Sequence, residues 1–279
     1  GNLTAEVKAF TVAACRRVRD RGGRIHTFVV GRVLEQENVD WLRGIAADGH
    51  PIGNHTYDHV NLLAATPEEI QYRFRRAPWL LGGRAIPDIL RENIRLTNLA
   101  LEERLGLRAS GFRTPGGFTS GLDGREDLQH MLQDLGFDWV SSRYPAHAIA
   151  DVTGTGGGPS PEVLASIVAA QPAAQPQVYP TGLVELPMSP ISDVGAFRNG
   201  RWSLDDFLHA VRLAIEWAIE RRACFDFLAH PSVLGAVDPE FRALDLICDL
   251  VEGSKGAAEI VTLDTLAAQV RARAAGAAR

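Results

Sequence analysis

The chain has 279 residues, of which 46% are hydrophobic and 23% charged. This composition is that of an ordinary globular domain and excludes the collagen-like, disordered and disulfide-scaffold classes. The formal net charge is −5, from 29 basic and 34 acidic residues, and no long basic run is present, which argues against nucleic acid as a partner. No apolar stretch approaches the roughly 20 residues that span a bilayer, so no membrane span is predicted. The length favours a single domain over residues 1–279.

The sequence predicts that helices and strands alternate along the chain. Apolar residues at helical spacing predict a helix over 4–21, and β-branched and aromatic residues over 24–31 predict a buried strand. Asn38 and Thr66 resemble helix N-caps, the latter followed by proline and glutamate. Further helices are predicted at 88–105, 128–135, 162–170 and 203–219, and further strands at 109–114, 137–141, 183–186, 225–229 and 259–263. Such alternation implies a mostly parallel sheet with crossover helices, either an open doubly wound sheet or a (β/α) barrel.

A segment rich in Gly, Pro and Ala, residues 144–182, interrupts this alternation. Long loops in compact domains are often lids or binding loops, and a mobile insertion is the alternative interpretation. The three cysteines, Cys15, Cys224 and Cys248, are widely spaced among apolar residues. They are therefore predicted to be small buried side chains and not a disulfide framework.

The strongest local signal for chemistry is the pair His55 and His59. Two imidazoles four residues apart lie on one face of a helical turn, close enough to bind one metal ion. A pair of this kind is a moderate signal by itself, because many such pairs face solvent. Here it follows a helix and the short apolar link Pro51-Ile52, which places it on a strand-to-helix loop. In parallel α/β folds these loops carry the active site.

Other polar side chains are expected at the same ends of successive strands. Arg113 and Pro115 lie at the end of one predicted strand, Trp139 lies in the next, and His230 directly follows the strand over 225–229. Each has an ordinary structural interpretation: a surface ion pair for Arg113, core for Trp139, and a strand-capping histidine for His230. A shared end of the sheet favours a common function for them.

These motifs, in this order, resemble the polysaccharide deacetylases with the NodB homology domain (carbohydrate esterase family 4). Residues 49–59 resemble the metal-binding motif of that family, with His55 and His59 as the ligands. Residues 111–117 resemble its arginine-proline motif, and residues 228–231 its final leucine-histidine motif. The resemblance covers nearly the whole chain and implies a distorted (β/α) barrel of seven to eight mostly parallel strands.

The sequence departs from the family pattern in two places. The Asp-Asp pair of the first family strand is not present, and the resemblance places that strand directly upstream of Gly1. One of those aspartates would be the third metal ligand and the other the general base. Residues 135–142 resemble the chitin and peptidoglycan branches less than branches that include allantoinase-like hydrolases of small amides.

The resemblance implies hydrolysis of an acetamide by metal-activated water. A divalent metal is implied, and zinc fits the ligands best, with cobalt, nickel or another first-row ion as alternatives. Arg113 would orient the aspartate base, and protonated His230 would donate to the departing nitrogen. Trp139, Leu228 and Pro115 would contact the substrate.

Three functions are compatible with the sequence at this point. The first is N-deacetylation of an acetylated amino sugar or polysaccharide. The second is hydrolysis of a small non-sugar amide, such as a ureide or an acetylated amine. The third is a catalytically impaired carbohydrate-binding or scaffold protein, which the missing aspartates would explain.

Overall fold

The computed structural model describes residues 3–149 and 158–277. Their helices are α1 (Ala5–Asp20), α2 (Asp40–Ala47), α3 (Pro67–Ile70), α4 (Tyr72–Arg76), α5 (Ile86–Leu105), α6 (Glu126–Asp134), α7 (Pro161–Ala170), α8 (Leu204–Arg221), α9 (Pro231–Val237), α10 (Arg242–Gly253) and α11 (Leu263–Ala277). Their strands are β1 (Thr27–Val29), β2 (Ile52–Asn54), β3 (Phe112–Phe118), β4 (Trp139–Arg143), β5 (Gln177–Val178) and β6 (Val184–Glu185).

The six described strands form one sheet in the order β1-β2-β3-β4-β6-β5. Strand β2 is parallel to both β1 and β3, β4 is parallel to β6, and β5 is antiparallel to β6. The predicted α/β class with a mostly parallel sheet is therefore confirmed. Register pairs Val29 with Asn54 and Asn54 with Phe112, so the chain segments that follow β1 and β2 leave the same edge of the sheet.

The chain divides into two compact units. The described residues of 1–25, 143–176 and 186–261 form one of them, here the helical unit. Those of 26–142, 177–185 and 262–279 form the other, here the sheet unit, which contains the sheet up to Ser142 of β4. The 144–182 segment contributes α7 to the helical unit and β5 to the sheet unit, and its residues 150–157 lie outside the described part. A single domain over 1–279 stays a prediction.

Each unit has its own apolar core. In the sheet unit, Phe112, Leu132 and Val140 are fully buried in a cluster that joins the sheet to α5 and α6. In the helical unit, Phe207 and Val211 of α8 are fully buried in another. All three cysteines are free thiols, as predicted; Cys15 and Cys248 are buried, whereas Cys224, predicted to be buried, is half-buried. Across 3–149 and 158–277, no helix combines the length and apolarity needed to cross a membrane.

Local signals located several helix starts correctly. Helix α1 begins after Thr4, whose hydroxyl accepts a hydrogen bond from Val7 N at 3.3 Å. Helix α8 begins after Ser203, whose Oγ accepts from Asp206 N at 3.2 Å while the Asp206 carboxylate accepts from Ser203 N. Capping of this kind satisfies amide groups that have no partner within the helix, which explains why it is readable from sequence.

Two predicted strands are wrong, and a third has other bounds than predicted. Residues 225–229 are not a strand; Phe225, Phe227 and Ala229 pack against the core of the helical unit, and Ser189 N donates to Asp226 O at 3.1 Å. Residues 259–263 are not a strand because Thr262 caps α11, its hydroxyl accepting from Thr265 N at 3.2 Å. The strand predicted to end before Pro115 instead continues to Phe118 as β3.

Candidate active site

His55 and His59 lie on the loop that follows β2. The predicted helical turn is wrong, because residues 55–66 form no helix and both Thr56 and His59 have left-handed backbone angles, φ 59° and 58°. The ring centroids of His55 and His59 are nevertheless 5.0 Å apart, with the rings inclined at 72°. The irregular loop thus brings the two imidazoles together, as expected for a pair of metal ligands.

This loop is fastened to helix α5 by buried amides. Asn54 at the end of β2 is fully buried, and its Oδ1 accepts from Thr56 N at 2.8 Å. The backbone carbonyl of Asn93 in α5 accepts from Tyr57 N at 3.1 Å, and its side-chain Oδ1 accepts from Asp58 N at 2.9 Å. Left-handed residues other than glycine cost about 1–3 kcal/mol and persist only where surrounding bonds fix them. These bonds supply that restraint.

The carboxylate between the two histidines is engaged by arginines. Asp58 is buried, its Oδ1 lies 2.5 Å from Arg32 Nε, and its Oδ2 pairs with Arg73 Nη2. Burial raises the pKa of Asp58, and the bond from Arg32 acts in the opposite direction. Asp58 therefore holds the loop in place and is not positioned as a metal ligand.

The backbone of β3 fixes the tautomer of His55. Its Nδ1 lies 2.8 Å from the carbonyl oxygen of Arg113, and a carbonyl can only accept, so Nδ1 carries the proton. The lone pair of His55 is then on Nε2. A metal-binding histidine characteristically makes this bond through its other nitrogen.

The guanidinium of Arg113 is buried in the sheet unit. Its Cζ lies 4.5 Å from the ring centroid of Phe28, and Nε donates to Ser141 Oγ at 3.1 Å. Pro115, two residues further along β3, is also buried. Arg113 is therefore a buried cation and not a surface residue.

Trp139 makes the contacts of a core residue. It begins β4, and its Nε1 donates to Asp264 Oδ1 at 2.9 Å. Its indole packs on Gly111, where an added Cβ would come within 1.9 Å of the ring, and meets the His26 ring edge-on at 5.3 Å. These contacts account for its burial, and its role in substrate binding stays a prediction.

His230 and Asp193 form a second arrangement, within the helical unit. His230 precedes α9, its ring is 47% exposed, and its Nδ1 lies 2.8 Å from Asp193 Oδ1. Asp193 is fully buried and also accepts from His230 N at 2.6 Å and from Val194 N at 2.8 Å. The carboxylate therefore fixes the orientation of the ring through Nδ1.

Sequence reasoning missed Asp193. An isolated aspartate in an apolar stretch gives no local signal, and its bond to a histidine 37 residues away is formed only on folding. Leu228, two residues before His230, is half-buried, and its neighbours Phe227 and Ala229 pack against the core of the helical unit.

Comparison with known proteins gives a family match over the N-terminal part of this chain. Residues 5–138 match the family described as polysaccharide deacetylase. This segment belongs to the polysaccharide deacetylase family. It contains both histidines of the β2 loop together with Arg113 and Pro115, so the resemblance noted in the sequence is confirmed.

One curated relative matches this chain over a shorter stretch. The chitooligosaccharide deacetylase of Azorhizobium caulinodans is 37% identical over 67 residues, which are 24% of this chain and 31% of that protein. The alignment thus spans about a third of the relative's length.

Solved structures share the fold over most of the chain. A protein of Mycobacterium smegmatis described as a polysaccharide deacetylase has a TM-score of 0.62 at 16% identity, covering 96% of this chain and 79% of the other. One of Pseudomonas aeruginosa PAO1 with the same description has a TM-score of 0.54 at 15% identity, covering 88% and 67%. An allantoinase has a TM-score of 0.52 at 15% identity, covering 88% and 66%.

The deacetylase segment supplies two donors suited to a metal ion. Two imidazoles whose ring centroids lie 5.0 Å apart are the ligand type that zinc and other first-row ions accept. Across the described residues no group of three or more His, Cys, Asp or Glu side chains is arranged to hold a metal. His55 and His59 thus fit a metal as a partial ligand set that needs a further ligand.

Proposed function

We propose that this protein is a metal-dependent hydrolase that removes the N-acetyl group from an acetylated amino sugar or polysaccharide. The observation that carries the proposal is the His55–His59 pair, with ring centroids 5.0 Å apart and His55 Nδ1 bound to the Arg113 carbonyl. The pair lies inside the segment that matches the polysaccharide deacetylase family, whose chemistry is hydrolysis of a carbon–nitrogen bond.

His55 and His59 would hold a divalent metal, and zinc suits imidazole donors best, with cobalt or nickel as alternatives. The family resemblance implies an aspartate as the third ligand. When bound, the metal polarises the substrate carbonyl and lowers the pKa of water. The bond between His55 Nδ1 and the Arg113 carbonyl presents Nε2 as the ligand atom.

The chain's own side chains would manage charge and protons. The buried guanidinium of Arg113 would keep a carboxylate base ionised and oriented. His230 would donate a proton to the nitrogen of the broken amide bond, because an amide nitrogen leaves poorly as an anion. Asp193 supports this role, since it holds the ring through Nδ1 and leaves Nε2 to carry the transferred proton.

Substrate contact is proposed for three apolar residues. Leu228 is half-buried close in sequence to His230, which supports a place beside the acetyl methyl group. Pro115 lies two residues after Arg113 in β3 and would line the substrate site near Arg113. Trp139 is included because of the family resemblance, although its indole is already packed on Gly111.

Metal binding separates the roles of the two histidine sites. His55→Ala should lose metal, measured by zinc titration and elemental analysis, because it removes one of two imidazole ligands. His230→Ala should keep the metal and lose about a hundredfold to ten-thousandfold in acetate release. The matched control is His130→Ala, an exposed histidine of α6, which should change neither.

Normal metal content in His55→Ala would overturn the ligand assignment. Acetate, formate and amine release should be measured over a panel of N-acetylated sugars, ureides and acetylated amines. Release of acetate from the sugars supports the proposal. Turnover of ureides alone, or no turnover by wild-type protein loaded with metal, would contradict it.

A further inference from the structure

Residues 72–84, here the Arg–Trp segment, form a positively charged stretch on an acidic protein. They contain four arginines and no Asp or Glu, whereas the formal net charge of the chain is −5. Arg73 is paired with Asp58, but Arg75, Arg76 and Arg84 form no ion pair with any described residue and are exposed. The segment thus presents a local positive surface to solvent.

The same segment exposes large aromatic and apolar side chains. Trp79 is 75% exposed, Tyr72 64% and Leu80 49%. Phe74 and Leu81 are buried in the core of the sheet unit, so the backbone that carries the exposed groups is anchored. Three large exposed hydrophobic side chains within nine residues mark a binding surface, since such clusters are rare on surfaces without a partner.

An ion pair connects the Arg–Trp segment to the loop of the metal ligands. Arg73 binds Asp58, and Asp58 directly precedes His59. Val60 and Phe74 also belong to one buried cluster. The segment and the ligand loop are therefore parts of one packed structure within the sheet unit.

The chemistry of the exposed groups defines the partner. Indole and phenol rings offer flat apolar faces with a polar edge, and a sugar ring has matching apolar faces bordered by hydroxyls. Guanidinium groups bind carboxylates through paired hydrogen bonds. An anionic glycan combines both features along one chain.

We propose that the Arg–Trp segment is a distal binding subsite for a glycan that carries carboxylate groups. This inference rests on the proposed function, because the link from Arg73 to the ligand loop favours an extended substrate over another partner. It also narrows the substrate class, since a small ureide has no sugar ring for the exposed aromatic side chains to contact.

Direct binding tests the subsite without turnover. Calorimetry on the 279-residue chain should compare hyaluronan oligosaccharides, which alternate glucuronate with N-acetylglucosamine, with neutral N-acetylglucosamine oligomers of equal length. The acidic oligomer should bind more tightly, and the preference should shrink at high salt. Trp79→Ala should weaken binding of both oligomers about tenfold, as expected for an aromatic platform. Arg75→Gln with Arg76→Gln should remove the preference for the acidic oligomer.

Control variants come from α5 in the same unit. Leu99→Ala removes a side chain that is 42% exposed, and Arg95→Gln removes an exposed arginine outside the segment. Neither should change binding. Equal affinity for the two oligomers, or unchanged binding in Trp79→Ala, would overturn the inference. Binding to phosphatidylglycerol vesicles in place of either glycan would also overturn it and assign the surface to a membrane.

The outcome is separable from that of the proposed function. His55→Ala should lose metal yet keep glycan binding, because the subsite uses no metal ligand. Glycan binding without any turnover would therefore count against the function and leave the subsite standing. Deacetylation of small acetamides without glycan binding would support the hydrolase function and count against the subsite.

Discussion

Replacing the buried carboxylate beside His230 gives the sharpest prediction about the general acid. Asp193 accepts three hydrogen bonds: from His230 Nδ1 at 2.8 Å, from His230 N at 2.6 Å and from Val194 N at 2.8 Å. In Asp193→Asn, one of the two oxygens becomes an NH2 group. Whichever way the amide is turned, that group faces an N–H donor, so at least one of the three bonds is lost.

The magnitude follows from the lost charge-assisted bond. Hydrogen bonds to charged groups contribute about 1.5–3 kcal/mol. If protonated His230 loses that stabilisation in the transition state, the rate of acetate release falls by about 10- to 150-fold, at about 1.36 kcal/mol per factor of ten. Metal content should stay unchanged, because His55 and His59 are untouched.

A matched variant separates catalysis from folding. Asp238 is also fully buried in the helical unit, where its carboxylate accepts from Arg242 N at 2.9 Å and Ala243 N at 2.8 Å. Asp238→Asn should cost a similar free energy of unfolding, about 1–3 kcal/mol, and leave turnover of the folded protein unchanged.

Two results would refute this reasoning. One is turnover by folded Asp193→Asn within twofold of wild type. The other is full additivity of its effect with that of His230→Gln, because residues that act as one unit should be non-additive. Imidazole ¹⁵N NMR gives an independent readout, since the Nδ1–H tautomer should dominate neutral His230 in wild type and lose that dominance in Asp193→Asn.

Two further predictions concern the sheet unit. Gly111→Ala should destabilise by about 3 kcal/mol in denaturant titrations, because Gly111 has φ +70° and a new Cβ would lie 1.9 Å from the Trp139 ring. The control is Gly44→Ala in α2, where an added Cβ meets no atom within 4 Å, so stability should be unchanged or higher by about 0.5–1 kcal/mol. Equal losses of stability in the two variants would contradict the packing argument. Burial lowers the pKa of His26 from 6.5 to about 4, so between these pH values the unfolded chain binds a proton that the folded protein does not. The free energy of unfolding should therefore fall by up to about 3 kcal/mol as pH drops from 6.5 to 4. If His26→Gln shows the same pH dependence of this free energy as wild type, the reasoning is wrong.

The family resemblance, the α/β class and the closeness of His55 and His59 could be predicted from the sequence because each depends on local pattern. A cap at Ser203 satisfies amides within one turn, and the alternation of apolar runs reports which faces are buried. His55 and His59 are close in the chain, so any tight loop keeps them close in space. Arg113 was predicted at the end of its strand, whereas it lies near the start of β3, where Phe112 pairs with Asn54 at the end of β2.

Predictions failed where spacing was taken to fix conformation. The four-residue spacing of the histidines suggested a helical turn, yet the loop contains two left-handed residues held by Asn54 and Asn93 from outside it. Apolar character over 225–229 suggested a strand, yet a strand also needs a neighbour that pairs along its length.

What the sequence by itself determined is the set of reactive side chains and the order in which the chain presents them. Only the tertiary structure decided their partners: Asp193 for His230 across 37 residues, and Asp264 for Trp139 across 125. The tertiary structure also decided that Asp58 pairs with Arg73 and not with a metal ion. The physical reason is that capping and periodicity depend on neighbours within a few residues, whereas the partner of a buried polar group depends on which distant segments pack against it.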